Sequence, residues 1–564
     1  METPTSSINF LPPMRMYLPV PSVQAEKQAR IISDNPLSNS CLALVRDWIR
    51  QCEENHIVCS SERLGEYPKR LLDVGEGDYI KLSLAESNQR YVALSHCWGN
   101  SAPLTTTKVN EVLHNFSIPC DSLPRSYRDA VKVTRWLGIN HLWIDSLCIL
   151  QDDPDDWEEK SAKMAGIYSG SYLVIAATRA SSSDEGFLQT RDPCREIRSY
   201  DHFSSSGSVE LLLSDYQLFK RGWCFQERML ASRVLHFAPQ ELIFHSRIGR
   251  KCECSIFDGS RGRRTQDSYY LAHLDSLISS FSDNVEARQN GSRAVVDRRA
   301  REGIRRRFRS FKAKIHDMYL RGKVNRESYD PSLKPIRFGE MWGYIIADYS
   351  PLEFTFDCDV LPALSGLVNL TQAFSPGCYI AGLWEKDLHY QLAWESIVDE
   401  ADCSRPQEYL APSFSWASRI GSVIFPYARI IKGLCTIVEA QATPKGADPF
   451  GRVKNGYLIL RGKMISGHVH SSKGWWRVVN EEEEKGIFVF DTLQYEAEIS
   501  NGEVNCFELF RERRDHDSFE EVTALALRYN EINGLFSRVG LFRCCLCIGL
   551  RLKMKLRFEL YDFS

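Results

Sequence analysis

From residue 91 to residue 178 the sequence switches repeatedly between short apolar runs and stretches of helical period, and this alternation constrains the fold more than any global property. The runs "YVALS" (91–95) and "HLWID" (141–145) are short and apolar, and "YLVIAAT" (172–178) is continuous in the way of a strand buried on both faces. Between the first two, "SLPRSYRDAVKVTRWLG" puts Tyr127, Ala130, Val131, Thr134 and Leu137 at helical spacing, with Pro124 near the first turn and Gly138 just past the end. The acidic "QDDPDD" opens a second helix that carries Trp157, Ser161, Met164 and Tyr168 on one face. Strand, helix, strand, helix, strand in this order predicts a Rossmann-like α/β fold, a parallel sheet with flanking helices and right-handed crossovers. Such sheets meet their ligands beyond the carboxyl ends of the strands, where Ser95, His96, Asp145, Ser146 and Thr178 all fall.

The flanking sequence extends this frame. "CLALVRDWIRQCEEN" spaces Leu44, Trp48 and Cys52 as a helix face, and "YIKLSL" (79–84) reads as a strand in a hairpin or meander with 91–95. "RGWCFQERML" (221–230) opens a helix, and "RVLHFAPQELIFHS" is a hairpin turning at Pro239 and Gln240. We therefore expect a flexible arm over 1–40, an α/β domain over 41–250 with its central motifs at 91–230, a helical Arg-rich insertion over 251–335, and a mixed, β-rich region over 336–564. The insertion carries an apparent helix near 271–281 and then Arg298, Arg299, Arg301, Arg305, Arg306, Arg307 and Arg309. Acidic residues flank these arginines and no aromatic platform interleaves them, so a solvated helix is expected rather than a specific nucleic-acid surface. Near the C-terminus, "RVGLFRCCLCIGLRLKMKLRF" is too short in its apolar run to span a bilayer. A buried strand pair is the first expectation there, with weak membrane contact or acylation of Cys544, Cys545 or Cys547 as alternatives. A net charge of −3 points to no polyanionic partner. With no secretory leader or membrane span in the sequence, a cytoplasmic location and mostly reduced thiols are expected for the 18 scattered cysteines.

"YVALSHCWG", "LPRSYRDAVKVTRWLGINHLWIDSLCILQDDPDDW", "KMAGIYSGSYLVIAAT" and "RGWCFQERML" occur in an order that resembles the fungal heterokaryon incompatibility (HET) domain family. The later "YIAGLWEKDLHYQLAW" and "APSFSWAS" are similar to segments that follow the domain in such proteins. The resemblance implies a TIR-like α/β fold and a signalling or effector role in non-self recognition and programmed cell death, akin to innate immunity, working through protein partners or self-association. The residues that carry it are Ser95, His96, Trp98, Gly99, Trp143, Asp145, Cys148, Gln151, Met164, Tyr168, Arg221, Trp223, Gln226 and Glu227. Some TIR domains cleave NAD, so the enzymatic alternative is an NAD(P) glycohydrolase with a pocket among His96, Asp145, Thr178 and Arg221. No cofactor is expected outside that alternative. One departure bears on it: an acidic residue is expected three positions after Trp157, where this chain has Lys160, and no glutamate maps onto the TIR catalytic position. A third alternative is a non-catalytic structural paralogue.

The candidate catalytic residues are His96, Asp145, Arg221 and Glu227. His96 and Cys97, adjacent at a strand end, point to opposite faces and do not pair, and Cys97 reads as a small buried hydrophobe. Asp145 is placed to hold one ring nitrogen of His96; either the other nitrogen meets a ligand, or the pair is a structural tie, which is the preferred reading. Trp98 caps the sheet and Gly99 supplies a positive φ. Gln151 and the acids after it cap the next helix. Arg221 binds a phosphate or, preferably, pairs with Glu227, and Trp223 belongs to the core. No metal is expected; the nearest approach to ligand spacing is Cys52, His56 and Cys59, which Cys252 and Cys254 could complete.

Overall fold

The computed structural model describes residues 30–55, 67–86, 89–99, 103–191, 215–246, 249–255, 338–372, 377–397, 404–425, 429–472, 475–480, 483–499, 502–513, 520–545 and 556–562. The arginine cluster from Arg298 to Arg309, the expected helix near 271–281, and His56, Cys59 and Cys547 lie outside them.

The N-terminal half is built on strands β1 (Arg70–Asp73), β2 (Tyr79–Leu84), β3 (Val92–Ser95), β4 (Ile118–Pro119), β5 (His141–Trp143), β6 (Leu173–Ala176), β7 (Arg233–Phe237), β8 (Leu242–Ser246) and β9 (Gly249–Cys252). They form one nine-stranded mixed sheet in the order β4-β2-β1-β5-β3-β6-β7-β8-β9. Only β5, β3, β6 and β7 are parallel neighbours. The expected parallel sheet is thus its centre alone; the β1–β2, β7–β8 and β8–β9 connections are too short for a crossover, so those pairs run antiparallel, as do β1–β5 and β2–β4. Helices α1 (Asn39–Asn55), α2 (Arg125–Trp136), α3 (Pro154–Gly170) and α4 (Gly222–Leu230) flank the sheet.

The expected pairing of 79–84 with 91–95 does not form. β2 alternates exposed and buried residues and pairs with β1 and β4, whereas all of β3 is buried, so β3 lies between β5 and β6 with both faces covered. Chain order across the central strands reverses beside β3: the chain passes from β3 to β5 on one side, then to β6 on the other. A crevice opens at the carboxyl ends of strands at such a reversal, so Ser95 and His96 lie beside it.

The C-terminal half opens with helices α5 (Phe338–Tyr349) and α6 (Pro362–Gln372) and continues into several β-sheets. In the largest, the strands Glu503–Arg513, Met464–Ser472, Trp475–Asn480, Glu483–Phe490, Leu535–Cys545 and Glu520–Asn530 pair in turn, and the last pairs back to the first. This closed antiparallel ring has no free edge among its six strands and encloses an apolar core with Val469, Phe488, Val504, Ala526, Val539 and Phe542. The cysteine-rich tail does supply two strands, Leu535–Cys545 and Leu556–Asp562, but they do not pair. The first is taken up on both edges within the ring, and the second adds to the strand Val453–Gly462. Among the described residues no helix is long and apolar enough to cross a membrane.

The two halves share one core. Ala165 of α3 and Phe225, Met229 and Leu230 of α4 belong to the same apolar cluster as Trp342, Ile345, Leu364 and Leu367. Where α4 starts, the backbone is spliced to the C-terminal half: Glu353 donates to the Lys220 carbonyl (2.6 Å) and Gly222 donates to the Glu353 carbonyl (3.0 Å). Gly222 is needed there, since a Cβ would stand 2.0 Å from the Phe354 ring. Further along α4, the Gln226 side-chain oxygen accepts from the Gly366 amide at 2.7 Å.

Candidate functional site

The carboxyl end of β3 carries the residues with the most unusual surroundings. Past Ser95, successive side chains turn to opposite faces. His96 faces α2: its Nε2 lies 3.2 Å from the Tyr127 hydroxyl, which lies 2.7 Å from the Ser146 hydroxyl. Cys97 faces α4, among Arg221 and Glu227. Burial pushes its thiol up to about 11 against the pull of Arg221, so it is a protonated, inert thiol at neutral pH.

Asp145 opens the short helix Asp145–Cys148 after β5. Its carboxylate accepts from the Trp98 indole (3.0 Å) and from the Ser146 amide (2.7 Å). His96 Nδ1 stands 4.0 Å from Asp145, which is an electrostatic contact and no hydrogen bond. The expected Asp145–His96 hydrogen bond is therefore replaced by three others, because Trp98 and the helix-opening amide occupy the carboxylate and Tyr127 takes the ring. Burial holds the imidazole down at about 4, against the pull of Asp145, so His96 is neutral at physiological pH. Gly99 has the expected positive φ (+80°), and a Cβ there would also meet Ser182 at 2.4 Å.

On the other face of β3, α4 presents Cys224 and Glu227 from one side, three residues apart. The Glu227 carboxyl is 5% exposed, with the Ser95 and Tyr168 hydroxyls beside it, and its Oε2 has no hydrogen-bond partner. Burial raises it to about 7, the nearby Asp145 charge adding to the rise. The expected Arg221–Glu227 ion pair is absent. Six positions apart, the two residues lie about 240° around the helix from one another. Arg221 caps the helix and donates to the His96 carbonyl at 3.2 Å instead.

The remaining motif residues hold the frame. Trp143 and Tyr168 meet edge to face at 5.5 Å, Tyr168 donates to the Leu94 carbonyl at 3.1 Å, and Met164 is buried nearby. The Cys148 carbonyl accepts from Arg70 at 3.0 Å. Gln151 does not cap the next helix; it donates to the Asp145 and Ile149 carbonyls (3.3 and 3.2 Å), tying the loop before it. Trp223 is half-buried between the two cores rather than inside one, and its indole donates to Asp359 at 3.2 Å. Thr178 lies 3.0 Å from His236 Nδ1, turned away from His96. Of the expected pocket, only Asp145 and Arg221 reach solvent, because the loop after β6 covers the rest: Ser183 donates to the Cys97 and Trp98 carbonyls (3.3 and 3.2 Å) and accepts from the Ser126 amide (2.8 Å). An open cleft of about 740 Å³ lies beside this loop, lined by Leu104, Asn110, Pro124, Arg125, Arg128 and Asp184.

Tyr127 is legible in the sequence only as an apolar-face residue of its helix, and Cys224 only as part of the run "RGWCFQERML" that opens one. A hydroxyl on the buried face of α2, one turn from its start, was the available cue. Of the residues at metal-ligand spacing, Cys52 is buried on α1, and Cys252 and Cys254 converge on Glu241 instead.

A family model described as heterokaryon incompatibility protein (HET) matches residues 91–227, from the start of β3 to Glu227 on α4. No curated protein and no solved structure matches the chain. The residues that build the carboxyl edge of the central sheet are thus those of the matched segment, and residues 91–227 of this chain are similar to the heterokaryon incompatibility (HET) family.

Proposed function

We propose that this chain is a cytoplasmic signalling or effector module of fungal non-self recognition, whose HET domain is restrained by its own C-terminal half and drives cell death once that restraint is released. The observation that carries this reading is the shared core: α4, the last element of the matched segment, is embedded in C-terminal helices and spliced to residue Glu353. A domain held this way is free to meet protein partners, or a second copy, only after that contact opens. Gly366→Ala puts a methyl group 2.5 Å from the Ala165 Cβ and 2.7 Å from the Gln226 oxygen, so it loosens this contact without touching the sheet edge. Full-length Gly366→Ala, induced in a fungal host, should arrest growth at expression levels where the parent chain is tolerated. Equal growth, with folded protein at equal abundance, would sink the proposal.

A second reading, a TIR-like NAD glycohydrolase, is favoured by one observation: a carboxyl group with an unpartnered oxygen, Glu227, stands beside Ser95 at the reversal of strand order. NAD would there be the substrate. Purified full-length protein incubated with NAD should release nicotinamide, and Glu227→Gln should abolish release. Absence of turnover from concentrated, clustered protein removes this reading.

A further inference from the structure

We propose that Cys252, Cys254 and Glu241 form a zinc site at the outer edge of the sheet, a donor set distinct from the Cys52, His56, Cys59 spacing in the sequence. The β8–β9 hairpin brings the three together. Glu241 immediately precedes β8, Cys252 ends β9 opposite Ile243, and the chain then turns sharply, with Ser255 at φ +62° donating to the Cys252 carbonyl at 3.1 Å. In that turn Cys254 donates its amide to Glu241 Oε2 (2.8 Å) and its thiol to Oε1 (3.4 Å), while the two sulphurs stand 3.1 Å apart. One ligand atom from each residue lies within 4.8 Å of the others, and the residues are 0–2% exposed.

Two thiolates and a carboxylate suit Zn²⁺, and tetrahedral bonds of about 2.3 Å to sulphur and about 2.1 Å to oxygen require sulphurs about 3.7 Å apart. The pair therefore has only to spread by about 0.6 Å, a small side-chain rotation. Closing to a disulfide needs a contraction of about 1 Å to about 2.05 Å, the larger of the two displacements. Glu253, between the cysteines, does not compete: it faces the other way and pairs with Arg191 at 2.8 Å. Binding displaces the two thiol protons to solvent and leaves a fourth position for water. It also staples the N-terminal segment, because the Arg30 amide donates to the Cys254 carbonyl (3.0 Å) and Ile32 packs on both cysteines.

The test uses the tag-free full-length chain. Elemental analysis should find about one zinc per chain, retained in Cys378→Ser, an exposed thiol elsewhere, and lost in Cys252→Ser/Cys254→Ser. After chelation, Co²⁺ titration should produce a thiolate-to-metal charge-transfer band. Glu241→Gln should weaken Co²⁺ binding by at least about tenfold, a comparison that stands even where the double variant does not fold. The proposal is overturned by a parent chain that neither contains zinc nor binds Zn²⁺ or Co²⁺. Metal retained by a folded double variant, cobalt affinity unchanged in Glu241→Gln, or recovery of the two cysteines as a disulfide overturns it equally.

Discussion

Glu227 and His96 stand at the same strand end, yet burial drives them in opposite directions on the pH axis. Glu227 is raised from 4.5 to about 7, so its native form holds a proton that the unfolded chain releases; stability from this group is fully present below about pH 4.5 and is lost as pH rises through about 7. His96 is lowered from 6.5 to about 4, so its contribution is present above about pH 6.5 and is lost as pH falls through about 4. Each shift is worth on the order of 3 kcal/mol, and between about pH 4.5 and 6.5 the two slopes largely cancel. Glu227→Gln removes one arm of this balance. Its melting temperature should exceed that of the parent chain at pH 8 and fall more steeply on acidification from pH 6.5 to 4.5; parallel curves would show that Glu227 is not the group raised. From the sequence, both residues could be assigned to a strand end or a helix start, and both were named as candidates. Their partners were not readable, because the Tyr127–His96 and Ser95–Glu227 contacts join residues from separate elements, and periodicity says nothing about which faces meet.

At the level of the element, the close approach of α6 to α3 and α4 rests on Gly366. A methyl group there is expected to cost about 1–3 kcal/mol, the usual penalty of overpacking a fitted core. Because the nearest atom is the Ala165 Cβ, Ala165→Gly should restore most of what Gly366→Ala loses, both in melting temperature and in growth tolerance. Sequence patterning located α2, α3 and the β7–β8 hairpin, whose apolar spacing and turn residues are local signals. It failed at β2, where two neighbouring strands suggested a hairpin. The decisive clue was burial: "VALS" has no polar face and belongs in a sheet interior, whereas "YIKLSL" alternates and belongs nearer an edge. The ring closure was illegible for a related reason, since joining Glu503–Arg513 to Glu520–Asn530 depends on the cumulative twist of all its strands.

Across the whole molecule, one buried arginine links the ring to the helical layer. Arg538, 1% exposed, makes two bonds to Asp491 (2.9 and 3.0 Å), donates to the Trp394 carbonyl at 2.5 Å and lies 3.5 Å over the Trp394 ring. Trp394 belongs to "YIAGLWEKDLHYQLAW", and within the same region the Trp342 and Trp416 indoles both donate to the Gly382 carbonyl at 2.9 Å. Arg538→Ala removes both of its bonds to the buried Asp491 carboxylate, a loss of about 3–5 kcal/mol. Thermal unfolding of that variant should split, with the ring melting separately from the helical layer; a single transition at the parent temperature would show that the link is dispensable. The matched segment stops inside α4, and the face that α4 turns to the C-terminal half is covered by residues more than a hundred positions later. The segment that can be recognised in the sequence is therefore smaller than the packed core it joins. Cut out at residue 227, it would leave an uncovered flank on α3 and α4, and any architecture that borrows this module must bring its own cover for that flank. The surface that the C-terminal half turns to α3 and α4 is thus first a packing requirement, and any further role of that half is built on it.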